Sequence, residues 1–528
     1  MNVIFITQGT ALKVFYDLVQ QLREPLQLDK IGFFISDSAY YKKFLKNTPD
    51  IESGKYILIK EWEIMLKAEQ NKPDIEKLKK YQEQLKTPNL WGAIVCDRRI
   101  IWGEKFAFRQ DYKPRFNHDQ VLSIMLEVLD STEKLFDIVK PDFVVSFLCV
   151  RIGEFASYLV ARSKNIPFLN LRPTRVQNYM TFGTSVFEPS ELIKDAYEQY
   201  MNSNNEDQWK KRASEYLDFV RNQHARYEGV YLPTQRPPQV GYIVPHPRSK
   251  APLFILNRLK QKIKNIAEEE YHYRYTGPKC DRHLPGALIP MLYWKFLNPR
   301  LVRKVDSYFS KMYISESEFQ KSDYVFFPLH TEPEVSLLVY SKPYLNQIEV
   351  LRNIAYSLPA GMILLVKEHP AARGKRPLSY YKKIKEIFNV RFADPTLDAR
   401  PFIVNSRLVA TIASSVGFEA VLLGKPVLTF GQTPYEILPS SMVRRVKDIN
   451  ELGENIADLL KNHYFDEQAL ISYIAAVMSR SVPIDFYTTL LERKAQFSLR
   501  ENPDRQKDLS KLARYTISTL DIVSAQKS

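Results

Sequence analysis

Two blocks of alternating strand and helix patterns, separated by a stretch that follows neither, constrain this chain more than any other feature. In the first block the apolar runs "NVIFI", "IGFFIS", "YILI", "GAIVC", "DFVVSFL" and "IPFLNL" read as strands. Between them lie helical patterns such as "QVLSIMLEVLDSTEKLFDIV" and "GEFASYLVARSKN", with apolar residues three and four apart. The second block repeats the rhythm, with strands at "DYVFFPL", "MILLV", "VRFA", "LVATI" and "PVLTF". Helices are expected there at "NQIEVLRNIAYSL", "YYKKIKEIF", "SVGFEAVLLG" and "INELGENIADLLKN". Alternation of this kind builds a mostly parallel, doubly wound sheet, so the expected class is α/β with two Rossmann-like domains facing a cleft.

The interval between the blocks is rich in proline and basic residues, as in "TQRPPQVGYIVPHPRSKAP", and contains the basic amphipathic segment Leu253–Ile266. We expect a first domain over 1–200, a linker with a helical insertion over 201–321, a second domain over 322–480 and a basic helical tail with a loose end over 481–528. A length of 528 residues exceeds what one hydrophobic core can organise, which agrees with this division.

Lys and Arg number 75 against 60 Asp and Glu, a net charge of +15 that calls for an anionic partner. The basic residues are spread over helices and loops without a nucleic-acid-binding signature, so nucleic acid is not the expected partner. The three cysteines, Cys96, Cys149 and Cys280, are far apart and suggest neither a disulfide framework nor a zinc site. They fit a reducing cytoplasm. "MNVIFITQGT" reads as a first strand rather than a signal peptide, and no run approaches the ~18 apolar residues of a membrane span. Any membrane contact is expected from the surface, through the Leu253–Ile266 segment, on anionic lipid at the inner face of the cytoplasmic membrane.

In open α/β sheets ligands gather outside the carboxyl ends of strands, so the strand-to-helix corners hold the candidate chemistry. At "MILLVKEHPAARGKR" a buried strand delivers Lys367, Glu368, His369 and Pro370, with Arg373 and Arg376 following. An imidazole or ammonium there is suited to contact a phosphate or protonate a leaving group, against the plainer reading of a surface corner. At "LVATIASSVGFEA" a strand ends in Ser414 and Ser415 as a helix begins, a combination of hydroxyls and free N–H groups that binds anions. Gly417 and Glu419 lie in the first turn, Glu419 as a ribose contact or as a carboxylate favoured by the dipole, and the chain returns to the same edge at Gly431. A third corner, "VFFPLHTEPEVSL", offers His330, Glu332 and Glu334 for sugar contacts or proton transfer, or else a solvated loop. No HExxH or carboxylate-rich loop calls for a metal.

"DYVFFPLHTEPE", "NQIEVLRNIAYSLPAGMILLVKEHP" and "ATIASSVGFEAVLLGKPVLTFGQTPY", together spanning roughly Asp323 to Tyr435, resemble the capsule polysaccharide biosynthesis family, which includes bacterial Kdo transferases of GT-B fold. The corner followed by a Ser-Ser turn is also similar to CMP-sialic acid-dependent GT-B sialyltransferases. The resemblance implies a metal-independent glycosyltransferase with no cofactor. Its substrate would be a nucleotide-sugar donor, CMP-linked Kdo or a related acid, and its acceptor a glycan or glycolipid. It further implies that His369, Ser414 and Ser415 hold the donor phosphate, that Glu419 meets the ribose, and that Lys367, Arg373 and Arg376 supply positive charge.

The sialyltransferase base lies in an Asp-Gly context that this chain lacks. Asp97, read as ending the strand "GAIVC", is the first candidate for the acceptor-activating base, with Glu154 second; the plainer reading of Asp97 is an ion pair with the arginines beside it. Two other readings stay open: a UDP-sugar transferase or 2-epimerase of similar fold, and a non-catalytic glycan-binding or export-coupling protein.

Overall fold

The computed structural model describes residues 1–103, 110–203, 207–222, 292–309, 312–369 and 374–493, then 504–526, together with positions 263, 264, 267, 278, 279 and 372. Pro370, Arg373 and Cys280 lie outside these residues, as does the Leu253–Ile266 segment apart from Ile263 and Lys264.

Thirteen strands form two sheets among the described residues: β1 (Val3–Thr7), β2 (Ile31–Ile35), β3 (Ile57–Lys60), β4 (Phe143–Phe147), β5 (Phe168–Pro173), β6 (Tyr179–Gly183), β7 (Tyr324–Pro328), β8 (Ile363–Lys367), β9 (Val390–Ala393), β10 (Leu408–Thr411), β11 (Val427–Thr429), β12 (Val443–Arg445) and β13 (Val482–Pro483). The first sheet runs β13-β6-β5-β4-β1-β2-β3 and the second β12-β11-β10-β7-β8-β9. The second sheet is parallel throughout, whereas β6 and β13 are antiparallel additions at one edge of the first. Strands such as β1, β2 and β4 are buried along their whole length, as expected when helices cover both faces of a parallel sheet. The result is the two-domain GT-B arrangement that the resemblance implies.

Ten of the eleven strands expected from the sequence are present, the strands β6, β12 and β13 toward the sheet edges are additions that the pattern does not announce, and one expected strand is absent. "GAIVC" is helical: Trp91–Val95 forms a helix whose Ala93 and Ile94 enter the core. A short apolar run does not distinguish a strand from one buried helical turn, and β3 already forms the sheet edge in this part of the chain.

The chain termini and the linker are also more integrated than composition implies. Helix Gln208–Asn222, inside the interval assigned to the linker, packs in the second domain's core with helix Glu467–Ser479, and Arg221 Nε donates to Leu422 O at 2.8 Å. The carboxyl-terminal segment is packed rather than loose. Strand β13 joins the first sheet beside β6, and helix Arg505–Ala525 lies against helix Ala11–Leu22, with Arg505 Nη2 2.7 Å from Asp17 and Tyr515 stacked on Phe182 at 5.3 Å. Leu509, Leu512, Leu520 and Val523 are buried there, each worth about 1.5–3 kcal/mol on burial. The end of the chain therefore belongs to the first domain.

The domains also meet through side chains that cross between them. Tyr112 donates to Glu332 at 2.8 Å, Gln110 N–H donates to Lys375 O at 3.1 Å, and Lys342 Nζ lies 4.8 Å over the Phe155 ring. These contacts hold the carboxyl ends of the two sheets toward a common cleft.

Candidate functional site in the interdomain cleft

Strands β8, β7, β10 and β11 are neighbours at the centre of the second sheet, so their carboxyl ends bring three separate sequence motifs to one place. At the end of β7, Gln347 clamps His330 by accepting from its N–H at 2.8 Å and donating to its carbonyl at 3.1 Å. The His330 ring then reaches the next corner, where Nε2 accepts from Ala413 N–H at 3.2 Å. This makes Nε2 the acceptor and assigns the ring hydrogen to Nδ1, which faces Ser336 Oγ at 3.4 Å and Glu334 at 3.8 Å. His330 is buried, and it is a pin between the β7 and β10 corners.

Ser414 caps helix Ser415–Leu422, its Oγ accepting from Val416 N–H at 3.1 Å, while its carbonyl accepts from Tyr435 OH at 2.7 Å. Gly417 is required by that contact, because a Cβ there would stand 2.1 Å from the Tyr435 hydroxyl. Gly431 has an equivalent role beside Ser341, whose Oγ a Cβ would approach to 1.7 Å. Both glycines shape the turn through close packing. Glu419 is buried, and its charge acts on Arg400, whose guanidinium reaches Val220 O at 3.3 Å.

The Lys-Glu-His corner divides its residues between core and cleft. Lys367 is buried, its Nζ donating to Pro395 O at 3.1 Å. Glu368 is buried against Arg376, which pairs with both of its oxygens, and accepts from Tyr381 OH at 2.7 Å. Arg376, itself buried, also donates to His330 O and lies 3.5 Å from Glu332. Lys367, Glu368, Arg376 and Glu332 thus form the scaffold of the corner. His369 alone of this run is exposed. The surrounding protein mass nevertheless desolvates its ring, lowering the imidazole pKa against the opposing pull of Glu334 and Glu368.

Glu334 is the second open group, with 46% of its side chain exposed. Desolvation pushes its pKa up, but the His330 ring at 3.8 Å, followed by the charges of His369 and Arg175, holds it below the ordinary carboxylate value. An exposed imidazole and an ionised carboxylate thus share one electrostatic neighbourhood beside the Ser414–Ser415 turn. The spacing of these motifs in the sequence holds no sign of which of the three glutamates faces outward.

Asp97 and Glu154 are both fully buried, which corrects their expected place at the cleft surface. Asp97 caps helix Arg98–Ile101 and pairs with Arg99 at 2.6 Å, and although burial pushes its pKa up, Arg99 holds it below the ordinary value. Arg99 also pairs with Glu61 at 2.9 Å. Glu154 accepts from Arg151 N–H at 2.7 Å, and desolvation followed by the charge of Glu61 raises its pKa to about 8. Buried carboxylates committed to helix starts do not meet an acceptor hydroxyl.

The raised Glu154 pKa has a measurable consequence. The folded state binds the proton more tightly than the unfolded state, so this group's stabilising contribution is full below the unfolded value of about 4.3 and is lost as pH rises through about 8. Glu154→Gln removes the titration, and its unfolding midpoint relative to wild type is expected to climb between pH 5 and pH 8 and level off above. Thermal melts across that range check this; a flat difference rejects a buried neutral carboxyl.

Among the described residues no group of three or more His, Cys, Asp or Glu is arranged to hold a metal, and no helix is long and apolar enough to cross a membrane.

Residues 224–452 match the family model described as capsule polysaccharide biosynthesis protein. Protein FixF of Sinorhizobium fredii is 32% identical over 141 residues, covering 25% of this chain and 32% of FixF, so the chain spans about a third of that relative's length. Among solved structures, the β-Kdo 2,7 transferase KpsC of Thermosulfurimonas dismutans aligns at 11% identity with a TM-score of 0.34, over 73% of this chain and 89% of that one. UDP-GlcNAc 2-epimerase from Neisseria meningitidis aligns at 12% identity with a TM-score of 0.26, over 98% and 99% of the two chains. At such TM-scores neither structural likeness carries weight beyond these numbers. The family model, by contrast, spans the β7, β8 and β10 corners that build the site, so over residues 224–452 this chain is similar to the capsule polysaccharide biosynthesis proteins.

Proposed function

We propose that the protein is a cytoplasmic glycosyltransferase of capsule or surface polysaccharide synthesis. Its donor would be a nucleotide-activated sugar, a CMP-linked acid such as Kdo. The observation that carries this reading is the convergence of exposed His369 and Glu334 on the Ser414–Ser415 helix start, with His330 pinning the corners together. A helix start with serine hydroxyls takes the charge of a nucleotide phosphate, and His369 donates to it as the glycosidic bond breaks. Glu334, ionised and open, replaces Asp97 and Glu154 as the group that takes the acceptor's proton. The leaving phosphate is then neutralised by protein groups without a metal. A lipid-linked acceptor would bring the enzyme to the membrane surface.

Titration calorimetry with CMP and UDP is the test. CMP is expected to bind, transfer from a CMP-linked sugar to survive EDTA, and Glu334→Gln to lower kcat at least 100-fold with CMP affinity unchanged. Tighter UDP binding moves the donor class to UDP-sugars. Absence of any nucleotide binding sinks the transferase reading.

A further inference from the structure

The first domain carries a charge pattern of its own at the carboxyl end of its sheet. Arg98 opens helix Arg98–Ile101 and Arg151 precedes helix Ile152–Ser163. The Asp97 carboxylate that caps the first helix also accepts from Ile152 N–H at 3.3 Å, so the two helix starts abut and their arginines are neighbours. Arg493 follows the carboxyl-terminal segment back into this domain, its guanidinium 5.3 Å from the Tyr487 ring centroid, and Tyr487 rests edge-on against Phe147 at the end of β4. Arg175 stands in the β5–β6 loop with a left-handed backbone (φ +73°). The next residue, Val176, is fully buried in the cluster that contains Phe418 and Tyr435 of the second domain. Thr174 braces this loop by accepting from Val176 N–H at 3.2 Å, so Arg175 is held at the cleft by a rigid turn.

These arginines differ from the structural ones beside them. Arg99 is buried and doubly paired, and Arg151 is partly engaged, 3.5 Å from Glu61 and 3.9 Å from Asp37. Arg98 and Arg493 are exposed, and among the described residues neither guanidinium has an ion pair or a hydrogen bond. Across the cleft, Lys375 of the second domain is drawn toward the first by the Gln110–Lys375 backbone contact. Desolvation, then the like charge of Arg151, with Arg99 and Arg493 adding to it, lowers the Arg98 pKa despite the opposing charge of Asp97. Like charges fixed this close cost free energy unless an anion joins them, and guanidinium groups match carboxylate and phosphate oxygens in pairs.

We propose that Arg98, Arg151, Arg175 and Arg493 form the rim of an acceptor site for an anionic glycan, one whose end carries carboxylate or phosphate groups. The inference rests on the transferase reading and extends it by naming the acceptor's chemical class. Solvated surface arginines would lack both the abutting helix starts and the braced loop.

The experiment uses the full chain and three probes in calorimetry at low salt: trigalacturonate, a phosphorylated maltotriose and neutral maltotriose. A charged probe is expected to bind and maltotriose not to bind, and the stronger of the two charged probes identifies the anion. Arg98→Gln combined with Arg493→Gln is expected to weaken that binding at least 10-fold, with nucleotide binding, measured on the same samples, unchanged as the check on folding. Equal binding of maltotriose, no binding of either charged probe, or full affinity in the double variant overturns the acceptor site. Charged-probe binding without nucleotide binding in the wild type instead overturns the transferase reading, so the two failures are distinct.

Discussion

Replacing His369 by Ala is expected to lower the rate of sugar transfer by about 100-fold or more while leaving the protein folded. The expectation follows from where the side chain stands: exposed at the end of β8, next to scaffold residues that are buried and engaged without it. Removing an exposed side chain leaves the contacts among Glu368, Arg376 and Tyr381 in place, so the unfolding midpoint should move little. A hydrogen bond to a departing phosphate, in contrast, strengthens as negative charge develops, and its loss appears in kcat more than in KM. Transfer assays with CMP-linked sugars, paired with thermal melts, separate the two effects. Wild-type turnover in His369→Ala would reject the role of His369 at the phosphate.

The opposite outcome is expected seven residues later. Arg376→Ala should destabilise the second domain by about 3–5 kcal/mol, because it strips the counter-charge from a buried carboxylate rather than removing a solvated group. Glu368 would retain the Tyr381 hydroxyl at 2.7 Å and its local backbone contacts, and Glu332 would lose the guanidinium at 3.5 Å. The carbonyl of His330 also loses a donor, so the pin that holds the Ser414 turn loosens with it. Urea unfolding of the variant measures the loss. A change below about 0.5 kcal/mol, typical of surface positions, would show that the cluster does not hold the corner together. His369 and Arg376 look alike in the sequence, two basic side chains after one strand, and these experiments assign one to the reaction and the other to the frame.

Periodicity in the sequence determined the α/β class, the two-block organisation and the strand-end location of the site. Those features depend on local pattern: apolar runs of strand length, helical spacing between them, and a sheet whose ligand-binding edge is set by its direction. The Ser414 helix start was legible for the same reason, since a cap and the turn it closes are neighbours in the chain. The direction in which each charged side chain points was decided by the tertiary structure. Glu332 turns in to Gln347 and Arg376, while Glu334 two residues on stays open, and Asp97 and Glu154, though their nearest partners Arg99 and Arg151 are local, are buried in a network that distant Glu61 completes. A carboxylate's exposure depends on which distant arginine reaches it and on how much apolar protein closes over it, and neither quantity is written in the residues beside it. The same holds for the carboxyl-terminal helix, whose composition resembles a solvated tail; only the face offered by helix Ala11–Leu22 gives its buried leucines a core to join.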